Sequence, residues 1–203
     1  MSSILKVDEI QDTSGNNIIN ENANTVTIGK SGDTVNVVGT LQNGGTNFLQ
    51  GITEAQQWRL TADFTGDAIP IASNWEIVDT TGQGYLGTGM TQSSGIFTFP
   101  STGIWFVQFT VSYNQSGGTD TLLESNISVT INNSSFTDQC RCFTELGASG
   151  ENQSVDTSTM IDVTDTSNVK VRFNVSSNAS SNTVRGSSGN NQTFVTFIRL
   201  GDT

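Results

Sequence analysis

The sequence predicts an all-β protein, and three observations support this prediction. Short runs in which apolar and polar residues alternate recur along most of the chain. Clusters of Gly, Ser, Asn and Asp separate these runs, and the 203 residues include 21 Gly but only 2 Pro. Many short strands separated by turn residues are typical of a β-sandwich or jelly roll.

The aromatic residues divide the chain into two parts. All three Trp residues and every Phe except Phe48 lie after residue 57. Because aromatic side chains supply much of the buried area of a core, the core is expected in the second part. We therefore predict an N-terminal segment at residues 1–40, a joint at 41–57 and a folded domain at 58–203, which we call the knob.

The N-terminal segment has its own β pattern. Residues 25–29 and 34–39 alternate around a Ser-Gly-Asp turn, and residues 4–10 and 17–19 flank an earlier turn. Strands this short, with few large apolar residues, do not form a stable sheet in one chain. The pattern predicts either strands that interlace between identical chains around an axis or strands that dock onto a larger assembly. A disordered polar tail is the alternative, since low hydrophobicity also describes disorder.

The knob contains the clearest strand patterns. Residues 104–113 place Trp105, Val107, Phe109, Val111 and Tyr113 on one fully apolar face, which a strand needs where one side packs on a core. Residues 125–131, with Ile127, Val129 and Ile131 on one face, and residues 169–175 alternate in the same way. Residues 193–200 are more continuously apolar, which predicts a central strand.

Two of these segments resemble a known family. The runs Gly95-Ile-Phe-Thr-Phe-Pro100 and Gly103-Ile-Trp-Phe-Val-Gln-Phe109 are similar to a motif of the complement component 1q and tumour necrosis factor superfamily, and residues 193–202 resemble its C-terminal strand. The resemblance implies a ten-stranded jelly-roll sandwich that forms a homotrimer. It also implies that Phe106, Phe194 and Phe197 lie at the trimer interface.

The N-terminal segment resembles a second group of proteins. Residues 4–21 and 25–35 are similar to the leader of structural proteins from tailed phages of marine bacteria, including the cyanobacterial type. In that group the leader is an attachment or shaft element and the C-terminal trimer faces outward. The resemblance therefore implies contact with other virion proteins through apolar residues of the leader, namely Ile4, Leu5, Val7, Ile10, Ile18, Val26 and Ile28.

Charge and composition exclude several classes of function. The net charge of -11 repels phosphate backbones, and the eight basic residues are not clustered, so we expect no nucleic-acid partner. No apolar run is long enough to cross a bilayer, and the first residues lack a signal-peptide pattern, so we expect neither membrane insertion nor ordinary export. The sequence has no His, the commonest general base, and no catalytic motif, so we expect no enzyme.

Loop aspartates are the candidates for a cofactor site. Asp63, Asp67, Asp162 and Asp165 could supply oxygen ligands to calcium, but their spacing does not match an EF-hand, and loop aspartates of an acidic chain are usually solvated. We therefore expect no cofactor, with calcium as the alternative.

Four further side chains allow two interpretations each. Cys140 and Cys142 are separated by one residue, which makes a disulfide between them geometrically difficult, so two unbridged thiols are expected rather than a metal-binding pair. Trp75 and Tyr85 could stack on sugar rings if exposed, but a Trp at a strand start is more often buried.

Taken together, these patterns predict a non-enzymatic structural protein of a phage virion, assembled in the cytoplasm of the bacterial host. The homotrimeric knob would form a fibre or appendage and be available for contact with a host surface glycan or protein. A capsid decoration protein that stabilises the shell, and a carbohydrate-binding module, are the alternatives.

Overall fold

The computed structural model describes residues 38–39, 42–43, 46–47, 51–179 and 181–203. The chain divides into two units, Met1–Leu49 and Gln50–Thr203. In the first unit, β1 (Gln42–Asn43) pairs antiparallel with β2 (Thr46–Asn47). The predicted attachment residues lie outside the described residues: Ile4, Leu5, Val7, Ile10, Ile18, Val26 and Ile28.

The C-terminal unit, Gln50–Thr203, is built from antiparallel strands. They are β3 (Ala55–Leu60), β4 (Phe64–Thr65), β5 (Trp75–Ile77), β6 (Thr91–Ser93), β7 (Ile96–Thr98), β8 (Gly103–Gln115), β9 (Asp120–Thr130), β10 (Thr137–Leu146), β11 (Asn152–Val163), β12 (Lys170–Ser177), β13 (Asn182–Val184) and β14 (Phe194–Gly201). The described residues contain no helix, and thus none with the length and apolar character of a membrane span.

The strands form two sheets that pack face to face. One sheet has the order β10-β9-β12-β7-β6, and we call it the five-stranded sheet. The other has the order β4-β13-β8-β14-β3-β5, with β11 paired along the other side of β8, and we call it the seven-stranded sheet. Strand β14 lies between β8 and β3, which confirms the predicted central position of residues 193–200.

The core between the sheets contains an aromatic cluster among aliphatic side chains. The Phe97 ring lies at its centre, with ring centroids of Trp58, Trp75, Phe173 and Phe197 between 5.3 and 5.5 Å away. On β8, the five residues of the predicted apolar face are all buried. Alternation along β8 therefore selects which face packs on the core, as the sequence predicts.

The predicted all-β jelly-roll sandwich is confirmed, with two differences in detail. The short strands β4 and β13 pair with each other and extend one sheet beyond the ten predicted strands. Strand β9 ends at Thr130, so Ile131 does not share the buried face of Ile127 and Val129 and is 77% exposed.

Candidate subunit interface

The outward face of the seven-stranded sheet is where the structure places two of the three residues predicted to mediate association, Phe106 and Phe194. Along β8, Ile104, Phe106, Gln108 and Thr110 alternate with buried core residues and are half-buried. Because successive side chains of a strand point to opposite faces, these residues face away from the core. The outward face is thus available to a second molecule.

An apolar row crosses this face at its middle. The register aligns Met160 on β11 with Phe106 on β8, Phe106 with Ile198 on β14, and Ile198 with Ala55 on β3. Phe106 and Ile198 are half-buried, whereas Met160 is 69% exposed. Apolar side chains aligned across neighbouring strands form a continuous surface, so the row is a candidate contact surface.

The next row along the face is polar. Gln57 on β3 donates through Nε2 to Thr196 Oγ1 on β14 at 2.9 Å, and Asn191 Nδ2 donates to Gln57 Oε1 at 3.1 Å. Gln108 on β8 is aligned with Thr196. These hydrogen bonds hold the polar row in place beside the apolar row.

Phe194 lies one row further, beside the buried guanidinium of Arg59. Its strand partner Arg59 is fully buried, and the guanidinium pairs with Glu76 Oε1 and Asp79 Oδ1, both at 2.7 Å. Arg59 also donates to Thr80 Oγ1 at 2.6 Å. The charge of Arg59 is thus fully compensated, which a buried charge requires.

A groove at the sheet edge continues the apolar surface. Strands β10 and β11 form the two neighbouring edges of the sandwich, and a cavity of about 350 Å³ is lined there by Val129, Ile131, Met160 and Ile161, with polar side chains around them. Met160 belongs both to this groove and to the apolar row. The apolar surface therefore passes from the outward face around the edge of β11.

The structure separates the three phenylalanines predicted at the interface. Phe106 and Phe194 lie on the outward face, and their role in association stays a prediction. For Phe197 the prediction is wrong: the ring is 0% exposed in the single chain, between Phe97, Phe99 and Phe173. A side chain with no accessible surface has nothing left to bury in a trimer.

Three of the four aspartates proposed as calcium ligands accept hydrogen bonds at separate places in the fold. Asp63 accepts the Gly186 N–H and Asp67 accepts the Ser177 N–H. Asp165 caps a turn, where its hydrogen bond from the Ser167 N–H lowers the pKa of its carboxyl. Asp162 lies exposed on β11. No group of three or more Cys, Asp or Glu side chains in the described part of the chain is arranged to hold a metal ion.

The structure also shows the bonding and burial of the two cysteines and of the two aromatic residues considered for sugar stacking. Cys140 and Cys142 are free and half-buried, and burial raises the pKa of the Cys142 thiol. Trp75 is a core residue, and its Nε1 donates to the Ile71 carbonyl at 2.8 Å. Tyr85 is 57% exposed.

Sequence reasoning missed the other parts of this surface. Ile198 gave an ambiguous signal, because residues 193–200 are apolar at both even and odd positions. Met160 gave little signal, because its neighbours on the outward face of β11 are Ser158 and Asp162. Only the pairing of β11 with β8 brings Met160 beside Phe106.

Comparisons with known proteins agree with the architecture. No family model matches the sequence, and no curated protein gives a significant match. Among solved structures, the chain is similar to the Eiger TNF of S. frugiperda, with 13% identity, a TM-score of 0.56, and coverage of 75% of this chain and 96% of that one. It is also similar to murine APRIL at pH 5.0, with 14% identity, a TM-score of 0.52, and coverage of 72% and 98%. The chain therefore has the jelly-roll fold of the tumour necrosis factor-like proteins.

Proposed function

We propose that the chain is a non-enzymatic structural protein that functions as a homotrimer. The observation that supports this most directly is the apolar row Met160, Phe106, Ile198 and Ala55 on the outward face of a sheet. Large contiguous apolar surfaces on soluble proteins mark sites of association.

The placement of the apolar surface suggests how the subunits meet. In the proposed contact, the edge of one subunit, with Ile131 and Met160, packs on the outward face of the next, with Phe106 and Ile198. Such a contact joins two different patches, and it closes into a ring when the rotation between subunits allows it. Three is the number that the superfamily resemblance implies.

The proposed biological setting is a phage virion. Its support is the resemblance of residues 4–21 and 25–35 to the leader of tailed-phage structural proteins. In this proposal residues 1–40 attach the trimer to other virion proteins and the knob faces outward as part of a fibre or appendage. Three linked knobs would increase the effective affinity for a repetitive host surface, because the second and third contacts become intramolecular. A decoration protein on the capsid shell would use the same trimer.

Immunogold electron microscopy tests the virion role. An antibody against the C-terminal unit would be applied to purified phage particles, with pre-immune serum as the control. The proposal predicts gold on the tail or its appendages. Label spread over the shell would support the decoration role instead, and particles without label would contradict a place in the virion.

A further inference from the structure

The outward face of the five-stranded sheet contains a polar basin. Its volume is about 620 Å³, and the surrounding side chains come from β9, β10, β12 and the loop that contains Ile69. Ligand pockets of proteins have volumes of about 300–1,000 Å³. The basin lies on the opposite sheet from the proposed subunit interface, so it does not depend on that proposal.

The basin is bordered by a closed ring of side-chain hydrogen bonds and ion pairs. The ring consists of Glu124, Asn126, Ser128, Asp138, Arg141 and Asn174. Asn174 Nδ2 donates to Asn126 Oδ1 and to Ser128 Oγ, and the Ser128 hydroxyl donates to Asp138 Oδ1 at 2.6 Å. Asn126, Ser128 and Asn174 are all buried, with at most 7% exposure. A buried polar network of this kind is rigid when its members are paired.

Arg141 closes the ring on its exposed side. Its guanidinium lies 2.5 Å from Asp138 Oδ2 and 3.2 Å from Glu124 Oε1, and the same Glu124 oxygen accepts Asn126 Nδ2. Arg141 is therefore already held between two carboxylates. It has little capacity left to attract an anion.

Two polar groups at the basin lack a protein partner. The Arg172 guanidinium lies 4.4 Å from the centroid of the Phe136 ring, yet it forms no ion pair with any described residue and its Nε has no hydrogen-bond partner. Asn174 is 2% exposed, and its Oδ1 has no donor. Both atoms are enclosed by protein, whereas Arg172 lines the basin and no described residue is a partner of its two terminal nitrogens.

We propose that the basin binds a sugar residue with one carboxylate group, of the uronic acid type. The planar guanidinium of Arg172 matches a carboxylate, with two parallel hydrogen bonds. The two terminal nitrogens of Arg172 make this contact, because its Nε is enclosed by protein. The sugar ring then lies over a floor of amide, hydroxyl and carboxylate groups.

The composition of the basin favours such a ligand over other anions. Sugar hydroxyls both donate and accept, as the mixed ring requires, whereas a lipid or an apolar peptide needs apolar lining. Glu124 and Asp138 both pair with Arg141, so Arg172 is the cation of the basin that lacks an ion pair. The charges of these four side chains sum to zero, so the hydrogen-bonding geometry of Arg172, and not a net positive field, selects a carboxylate. A chain of net charge -11 also opposes a phosphate monoester, which carries nearly two negative charges, more strongly than a single carboxylate.

Ligand-observed NMR with two matched glycosides tests the proposal. Methyl β-D-glucuronide and methyl β-D-glucoside differ only in the carboxylate, and saturation transfer from the full chain would be measured for each up to millimolar concentrations. We expect the apparent affinity for the glucuronide to be at least about tenfold higher than that for the glucoside. This difference is about the contribution of one hydrogen bond to a charged group.

Three variants localise the binding. Arg172→Gln removes the guanidinium and should weaken glucuronide binding about tenfold or more. Ser176→Trp fills the basin without altering the ring and should abolish binding. Arg185→Gln is the matched control, because Arg185 pairs with Asp63 away from the basin, and should bind normally. Near-ultraviolet circular dichroism checks that each variant is folded.

Several results would overturn the proposal. These are the absence of glucuronide transfer, equal affinity for the glucoside, and unchanged binding by folded Arg172→Gln or Ser176→Trp. Competition by inorganic phosphate at the same concentration as the glucuronide would show a general anion site and would also refute the sugar assignment.

Discussion

The substitution Phe197→Ala tests which residues form the core and which remain for association. Phe197 is 0% exposed and lies 5.4 Å from Phe97, 5.9 Å from Phe173 and 6.3 Å from Phe99, measured between ring centroids. Truncation of a buried Phe to Ala costs about 3–5 kcal/mol. Because three ring contacts are lost as well, we expect Phe197→Ala to reduce the free energy of unfolding of the C-terminal unit by about 4–5 kcal/mol.

Phe194→Ala is the matched control in the same strand. Phe194 is half-buried on the outward face, so its truncation should reduce the free energy of unfolding of the C-terminal unit by about 1 kcal/mol. Both variants and the parent would be unfolded in guanidinium chloride at one protein concentration. Fluorescence of the three tryptophans, all buried in this unit, reports the transition.

The result that would refute this reasoning is specific. A loss below about 2 kcal/mol for Phe197→Ala would show that the ring does not lie in a close-packed core. Equal losses for the two variants would show that the sheet faces are wrongly assigned. A Phe197→Asp variant cannot test the interface, since a charge in this core prevents folding before assembly.

Three further predictions follow from buried polar groups. Arg59→Met should reduce the free energy of unfolding, measured by thermal unfolding, by about 2–3 kcal/mol. This is less than the loss expected for breaking a fully buried ion pair, because Glu76 and Asp79 stay partly hydrated. A loss under about 1 kcal/mol would contradict this prediction. Burial raises the pKa of Tyr113, so the unfolded chain releases a proton that the folded chain keeps. Stability should therefore fall above about pH 10, and Tyr113→Phe should reduce this fall; an unchanged alkaline slope would count against it. Because burial raises the pKa of Cys142, iodoacetamide should label it more slowly in native than in unfolded protein at pH 8, as mass spectrometry would show; equal rates would contradict the burial.

The central strands were predictable from sequence, whereas the edge strands were not. On strand β8 every second residue from Trp105 to Tyr113 is large and apolar, because this face covers the aromatic cluster of the core. Strands β10 and β11 lie at the edges of the sandwich, and most of their side chains are exposed or half-exposed, so polar residues occupy both faces. These two strands form because their backbones pair with β9 and β8, and such pairing requires no alternation of apolar and polar residues in the sequence.

The assignment of Phe197 shows a second limit. Residues 193–200 are apolar at both even and odd positions, since Phe194 and Ile198 share the outward face while Val195 and Phe197 face the core. Alternation then does not identify the buried face. The register of β14 with β8 resolves it, because Phe197 is aligned with the buried Val107.

The polar basin shows a third limit. Asn126, Ser128 and Asn174 are buried although they are polar, because side chains from neighbouring strands satisfy one another. In the sequence these polar residues lie in runs that alternate with apolar residues, and such a pattern predicts that the polar side chains are exposed to solvent. Only the pairing of β9 with β12 aligns Asn126 with Asn174.

The central claim is that the apolar row joins three chains, and sedimentation equilibrium tests it most directly. The parent chain and a variant with both Phe106→Asp and Ile198→Asp would be compared, with Phe143→Asp as a control at an exposed aromatic on β10 of the other sheet. We predict three times 21.6 kDa, about 65 kDa, for the parent and the control. The double variant should remain folded at 21.6 kDa, whereas a monomeric parent or a trimeric double variant would contradict the claim.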